Sequence, residues 1–183
     1  KQEASLNSLG YMYAEAGEIL IRKGMTPKEF WAVWKVDRPA GPVVWHARIG
    51  THGAKGVDNC HPFPVKGHGL AVAHNGVINR ESVKDSPLSD TRLFIQNVLE
   101  KLARNFLRRP ELVRLISGYI GSSKLVFMDA AGEVKFVNEH LGEWDKGRWY
   151  SNDSWRPRIL SYEKYLFPQQ SRQPDFFRVP GLA

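Results

Sequence analysis

Two short stretches hold the residues best suited to chemistry, His46-Ala47-Arg48-Ile49-Gly50-Thr51-His52-Gly53 and His74-Asn75-Gly76. Each closes an apolar run, 43–49 and 70–73, whose short length, valine content and glycine boundaries predict a buried strand. A guanidinium, a hydroxyl, imidazoles and a carboxamide therefore collect where two strands end. Gly53 and Gly76 let backbone come close to whatever sits there. Polar groups converging on an apolar base are how small-molecule sites are usually built. The same residues also have plainer readings. His46 and His74 lie in apolar strands, where a buried histidine needs only hydrogen-bond partners. His52 and Asn75 fit ordinary turns, since Asn-Gly is a strong turn signal. The five histidines from His46 to His74 raise the question of zinc, but none has the i, i+4 spacing of a helical zinc motif, and Cys60 is the lone cysteine. The spacing argues against a metal, and no cofactor motif is present.

At 183 residues, one domain of ordinary size is expected, large enough to bury a full core. Hydrophobic residues at 42% and charged residues at 25% match globular proteins and argue against global disorder. The net charge of +7 permits salt-sensitive attraction to nucleic acid or anionic surfaces. Lys101, Arg104, Arg108, Arg109 and Arg114 carry much of it in one segment. Without interleaved aromatics, that segment reads better as a solvated face than as a stacking platform. One cysteine excludes an internal disulfide, and neither a membrane-length apolar run nor a signal peptide is seen. A cytoplasmic location is expected.

The elements that must position these residues follow in order. Tyr11-Met12-Tyr13 and Ile19-Leu20-Ile21 flank Glu15-Ala16-Gly17-Glu18 and predict a hairpin. Thr26-Pro27-Lys28-Glu29 predicts a helix start with a capping box, and Phe30, Trp31 and Trp34 follow at core-facing spacing. After Gly53, a long loop rich in glycine and proline runs to Gly69. Ser89 or Asp90 caps a helix carrying Leu93, Phe94, Val98, Leu99 and Leu102, expected to run to about Phe106. Pro110 opens another helix over 111–120. Segments 124–128 and 134–137 form a second hairpin, and Trp149-Tyr150-Ser151-Asn152 a last strand. Residues 1–155 are expected as one domain, and 156–183 as an extended tail packing on it or on a partner. The fold class is α+β. Regular strand–helix alternation and a glycine-rich phosphate loop, the marks of a doubly wound fold, are missing.

Taken together, His46-x-Arg48-x-x-Thr51-His52-Gly53, Asn59-Cys60-His61-Pro62-Phe63, Ala73-His74-Asn75-Gly76 and Ser89-Asp90-Thr91 resemble the class II glutamine amidotransferases. These belong to the N-terminal nucleophile hydrolases, and the likeness is closest to small stand-alone members, some of them phage-encoded. It covers about residues 9–152; only 54–58 and the tail after Trp155 lack a clear counterpart. The resemblance implies a four-layer αββα sandwich. It also implies the glutaminase reaction, glutamine to glutamate and ammonia through a thioester, with the ammonia passed to a separate acceptor enzyme or other protein partner. By the same resemblance Arg48 binds the α-carboxylate of glutamine, Asp90 its ammonium, and Thr51 and His52 line the pocket. Asn75 and Gly76 form the oxyanion hole, while His61 and His74 are structural.

The departure is at the start. The family's nucleophile is a cysteine at the mature N-terminus, whose α-amino group serves as base. This chain begins with Lys1, and Cys60 lies in a loop rather than at that position. Aligning 9–23 with the family's second hairpin leaves the nucleophile strand and most of the first helix out of the chain. Either such residues precede Lys1, or the protein is an inactive amidotransferase-like binding or regulatory module. The survival of every pocket residue favours the first. Nucleic-acid binding through 101–114 is the weakest expectation.

Overall fold

The computed structural model describes residues 8–48, 57–81, 86–154 and 156, with Arg80 described in its backbone alone. The chain divides into two units, Lys1–Ser151 and Asn152–Ala183, and every element below lies in the first. The architecture is mixed α+β, with three antiparallel sheets and three α-helices among the described residues.

Strands β1 (Ser8–Glu15) and β2 (Glu18–Met25) form the expected hairpin. Its two-residue turn holds Ala16 at φ 51° and Gly17 at φ 79°, the left-handed backbone that matches strand twist. Helix α1 (Pro27–Asp37) starts where the capping box predicts. Glu29 N–H donates to Thr26 Oγ1 at 3.3 Å, and Thr26 N–H donates to Glu29 Oε2 at 2.8 Å. Strand β3 (Val43–Arg48) then pairs with the other edge of β1, giving the order β2-β1-β3.

The second sheet contains β4 (Phe63–Val65), β5 (Leu70–Asn75), β6 (Lys124–Asp129) and β7 (Val134–Val137) in that order. Helices α2 (Asp90–Asn97) and α3 (Pro110–Ile120) lie between β5 and β6 in sequence. A small hairpin of β8 (Glu143–Asp145) and β9 (Arg148–Tyr150) follows.

Strand alternation sorts the apolar residues into three cores. Tyr11 and Tyr13 point from β1 to Phe30, Trp31 and Trp34 of α1. Met12, between them, points the other way and packs with Ala71, Ala73 and Met128 of the second sheet. Val72, Leu125 and Phe127 point from that sheet's opposite face to Phe94, Ile95, Ile116 and Ile120 of α2 and α3. Small residues set the spacing between the sheets. A Cβ at Gly10 would run into the carbonyl oxygen of His61. Tyr11 Oη donates to Asp37 Oδ2 at 2.7 Å, and Arg22 pairs with the same carboxylate at 3.0 Å, fastening the end of α1 to the first sheet.

Three expectations are corrected. The helix from Ser89 stops at Asn97, where Val98 leaves helical geometry at φ −120° and ψ −66°, and the chain continues through 3₁₀ turns at Leu99–Lys101 and Phe106–Arg108. Leu99 and Phe106 are still fully buried in the same core, so their apolar spacing reported burial rather than one continuous helix. Strand β4 was hidden by Pro62 and Pro64. It is an edge strand, where a proline costs no ladder bond. The last strand covers Arg148–Tyr150 rather than 149–152, and its partner β8 was not foreseen. No helix among the described residues is long and apolar enough to cross a membrane.

Candidate functional site

β3 and β5 belong to different sheets, and histidine joins their ends. His46 Nε2 donates to the backbone carbonyl of His74 at 2.8 Å. Two residues beyond His46 on the same strand face lies Arg48, buried opposite Ser8. One residue beyond His74 lies Asn75, on the strand face that Ala71 and Ala73 turn toward the first sheet. Ser8 Oγ lies 2.7 Å from the Sγ of buried Cys60.

Asn75 ends β5 opposite Lys124. Lys124 Nζ donates to Asn75 Oδ1 at 3.5 Å, which turns the carbonyl end of the amide to the lysine and its N–H₂ end away from it. Gly76 has φ 127°, and a Cβ there would sit 2.9 Å from Ser123 Cα. Both the backbone angle and the crowding demand glycine. Ser123 Oγ donates to the carbonyl of Val77 at 3.1 Å, holding the same turn from the other side.

Asp90 is buried at the first position of α2, while Ser89 is the cap, accepting from Arg92 N–H at 3.3 Å. The Asp90 carboxylate does something else. Oδ2 accepts from Ile78 N–H at 2.7 Å and Oδ1 from Thr91 N–H at 2.8 Å. It thus ties the backbone after Gly76 to the start of α2. Ionised, it has about four acceptor positions, so these bonds leave capacity for another donor. Asn59 braces the approach to α2, accepting from Ser89 N–H at 2.8 Å and donating to the Pro87 carbonyl at 2.7 Å.

Behind these residues lies a histidine cluster. The rings of His46 and His61 are 4.1 Å apart, and those of His61 and His74 are 6.1 Å apart. Thr91 Oγ1 bonds both His74 Nδ1 at 2.7 Å and His61 Nε2 at 3.2 Å. One hydroxyl can serve both rings by accepting twice while it donates to Asp90 Oδ1 at 3.4 Å. His46 Nδ1, His61 Nδ1 and His74 Nε2 are shielded from solvent and have no hydrogen-bond partner. Burial pushes His46 and His74 down from the ordinary 6.5 to about 4, and His61 well below 6.5. At neutral pH the cluster is therefore uncharged. Among the described residues, no group of three or more His, Cys, Asp or Glu side chains could hold a metal ion.

Of the six residues expected at the site, Asn75, Gly76 and Asp90 are linked through the 76–78 turn, and Arg48 is joined to them through His46. Thr51 and His52 lie outside the described residues. Reasoning from sequence missed Lys124 and Ser123, which no motif marks and only the β5–β6 pairing brings beside Asn75 and Gly76. Thr91 and Asn59 were inside recognised motifs, so spacing could have flagged them, though not their partners.

No family model matches the chain. It is 26% identical over 148 residues to the glutamine–fructose-6-phosphate aminotransferase (isomerizing) of Aquifex aeolicus strain VF5, an alignment covering 74% of this chain and 24% of that protein. The chain thus spans about a quarter of the length of this relative. The similarity points to a relationship with a glutamine amidotransferase.

Proposed function

We propose that this chain is the glutamine-handling domain of a class II glutamine amidotransferase with the αββα architecture of the N-terminal nucleophile hydrolases. The succession of α1, first sheet, second sheet and α2 with α3 around three separate cores supports that architecture. In this reading Arg48 takes the α-carboxylate of glutamine through a bidentate guanidinium contact. Asp90 takes the ammonium, and Thr51 and His52 line the pocket. The Asn75 N–H₂ and Gly76 N–H stabilise the oxyanion. The nucleophile is the thiolate of a cysteine ahead of Lys1, with its own α-amino group as base. Its sulfur attacks the side-chain amide carbon, the tetrahedral intermediate collapses with loss of ammonia, and water hydrolyses the thioester to glutamate. The ammonia is passed on to an acceptor.

The observation that carries the reading is the 75–78 turn. Lys124 Nζ lies 3.5 Å from Asn75 Oδ1, Gly76 has no room for a side chain, and Asp90 holds the Ile78 N–H two residues further on. A turn braced in this way supports the reading, because oxyanion stabilisation requires donors held in place before the reaction. Two measurements test it. In the native protein, Asn75→Ala should lower glutamine-dependent ammonia release by about 100- to 1000-fold. In the 183-residue chain, calorimetric titration should show L-glutamine binding that Arg48→Ala abolishes. Equal affinity for L- and D-glutamine, unchanged by Arg48→Ala, would sink the reading.

A further inference from the structure

We propose that the opposite end of β5 carries a second binding site, for a small organic anion with a phosphate or carboxylate group on a short apolar body. A cavity of about 230 Å³ opens there. Five residue steps along β5 separate Leu70, on its wall, from Asn75, a distance of about 17 Å. The two sites are therefore distinct.

The charge balance of the cavity selects an anion. The lining holds three cations, Arg104, Arg108 and Lys135, against two acids, Asp129 and Glu133, and both acids are held within the β6–β7 hairpin. Asp129 Oδ1 accepts from Ala131 N–H and Glu133 N–H, both at 2.9 Å, closing the β6–β7 turn. Glu133 pairs with Lys135 at 3.2 Å. Arg104, in the turn before the second 3₁₀ segment, and Arg108, at that segment's end, line the same cavity, and among the described residues no carboxylate pairs with either. Guanidiniums that line one cavity suit a phosphate or carboxylate, which each can meet with two parallel N–H donors. His68 stands beside them with its ring fixed, Nδ1 2.9 Å from the Lys66 carbonyl and Nε2 3.1 Å from that of Leu102.

The floor selects the rest of the ligand. Leu70 and Leu107, both half-buried, supply apolar surface to the same cavity. The volume is below the roughly 300–1,000 Å³ of pockets for drug-sized molecules, so the apolar body is no larger than a single ring or short chain. A nucleic-acid strand fits less well. Phe106 and Phe127, the nearby rings, are fully buried and present no face on which a base could stack.

The test is titration of the full chain with phenyl phosphate, benzoate and inorganic phosphate, followed by NMR shifts of the Leu70, Arg104 and Phe127 amides. Phenyl phosphate or benzoate should bind at least about tenfold more tightly than inorganic phosphate, and the tighter of the two identifies the head group. The Arg104→Ala/Arg108→Ala variant, altered at exposed positions, should lose at least about tenfold in affinity while its unperturbed amides keep their shifts. Three results would overturn the proposal: equal binding of phenyl and inorganic phosphate, equal binding by the variant, or a single-stranded oligonucleotide binding more tightly than either aromatic anion with steep salt dependence.

Discussion

The two ends of β5 use polar residues in opposite ways. Near Asn75, buried polar side chains are tied into the fold by hydrogen bonds: Asp90 to Ile78 N–H, Thr91 to His61 and His74, Asn59 to Ser89 N–H. At Leu70, Arg104 and Arg108 are exposed, and the nearby acids are engaged within the β6–β7 hairpin. Buried polar groups are costly unless satisfied, so the first arrangement tolerates little change and can hold atoms in place. Exposed cations cost the fold little and keep their charge available for a ligand. Substitution should therefore damage stability at one end and only binding at the other.

The largest stability effect should come from Asp90→Ala. It leaves Ile78 N–H and Thr91 N–H without their buried carboxylate and should cost about 3–5 kcal/mol in urea unfolding. A loss well under 1 kcal/mol would mean that the turn does not depend on Asp90. Acidification should come next. The histidines of the cluster bind protons near 6.5 when unfolded but, for His46 and His74, only near 4 when folded. Between those values the unfolded state holds more protons, so stability is full above about pH 6.5 and falls as pH drops toward 4. Moving from pH 7 to pH 5 should cost on the order of 2–4 kcal/mol, read from denaturation midpoints at each pH. Thr91→Val should leave this slope in place, since burial is its main cause.

A smaller effect is expected for Gly76→Ala, which meets both a positive φ and Ser123. Thermal unfolding should show a loss of about 1–3 kcal/mol, together with weakened glutamine binding. The smallest should be Arg104→Ala/Arg108→Ala, within about 0.5 kcal/mol of the parent in stability. If that double variant proved as destabilising as Asp90→Ala, the contrast between the two ends of β5 would be wrong.

Local chemistry was legible where it is written in a few adjacent residues. Thr26, Pro27 and Glu29 specify the start of α1 because the capping bonds are made within one turn. The β1–β2 and β6–β7 hairpins follow from alternation around short turns. Legibility failed where one residue had two explanations. Leu99, Leu102 and Phe106 are spaced like a helix face because they pack on the same core, yet the backbone reaches it through 3₁₀ turns. Pro64 suggested a loop, since an edge strand is recognisable only once its neighbours are known. Asp90 looked like a helix cap, and its spacing could not reveal a bond to Ile78.

The sequence by itself determined which residue types gather at the ends of β3 and β5, the α+β class, and the glycine at position 76. These depend on side-chain chemistry, strand period and local backbone freedom, all readable within a few residues. Only the tertiary structure decided that His46 reaches His74 across two sheets, that Lys124 lies beside Asn75, and that Arg104 and Arg108 share one cavity with the β6–β7 turn. Those partners are 28 or more residues apart in the first two cases. Such contacts depend on the register between strands and the packing of one layer on another, which no local pattern encodes.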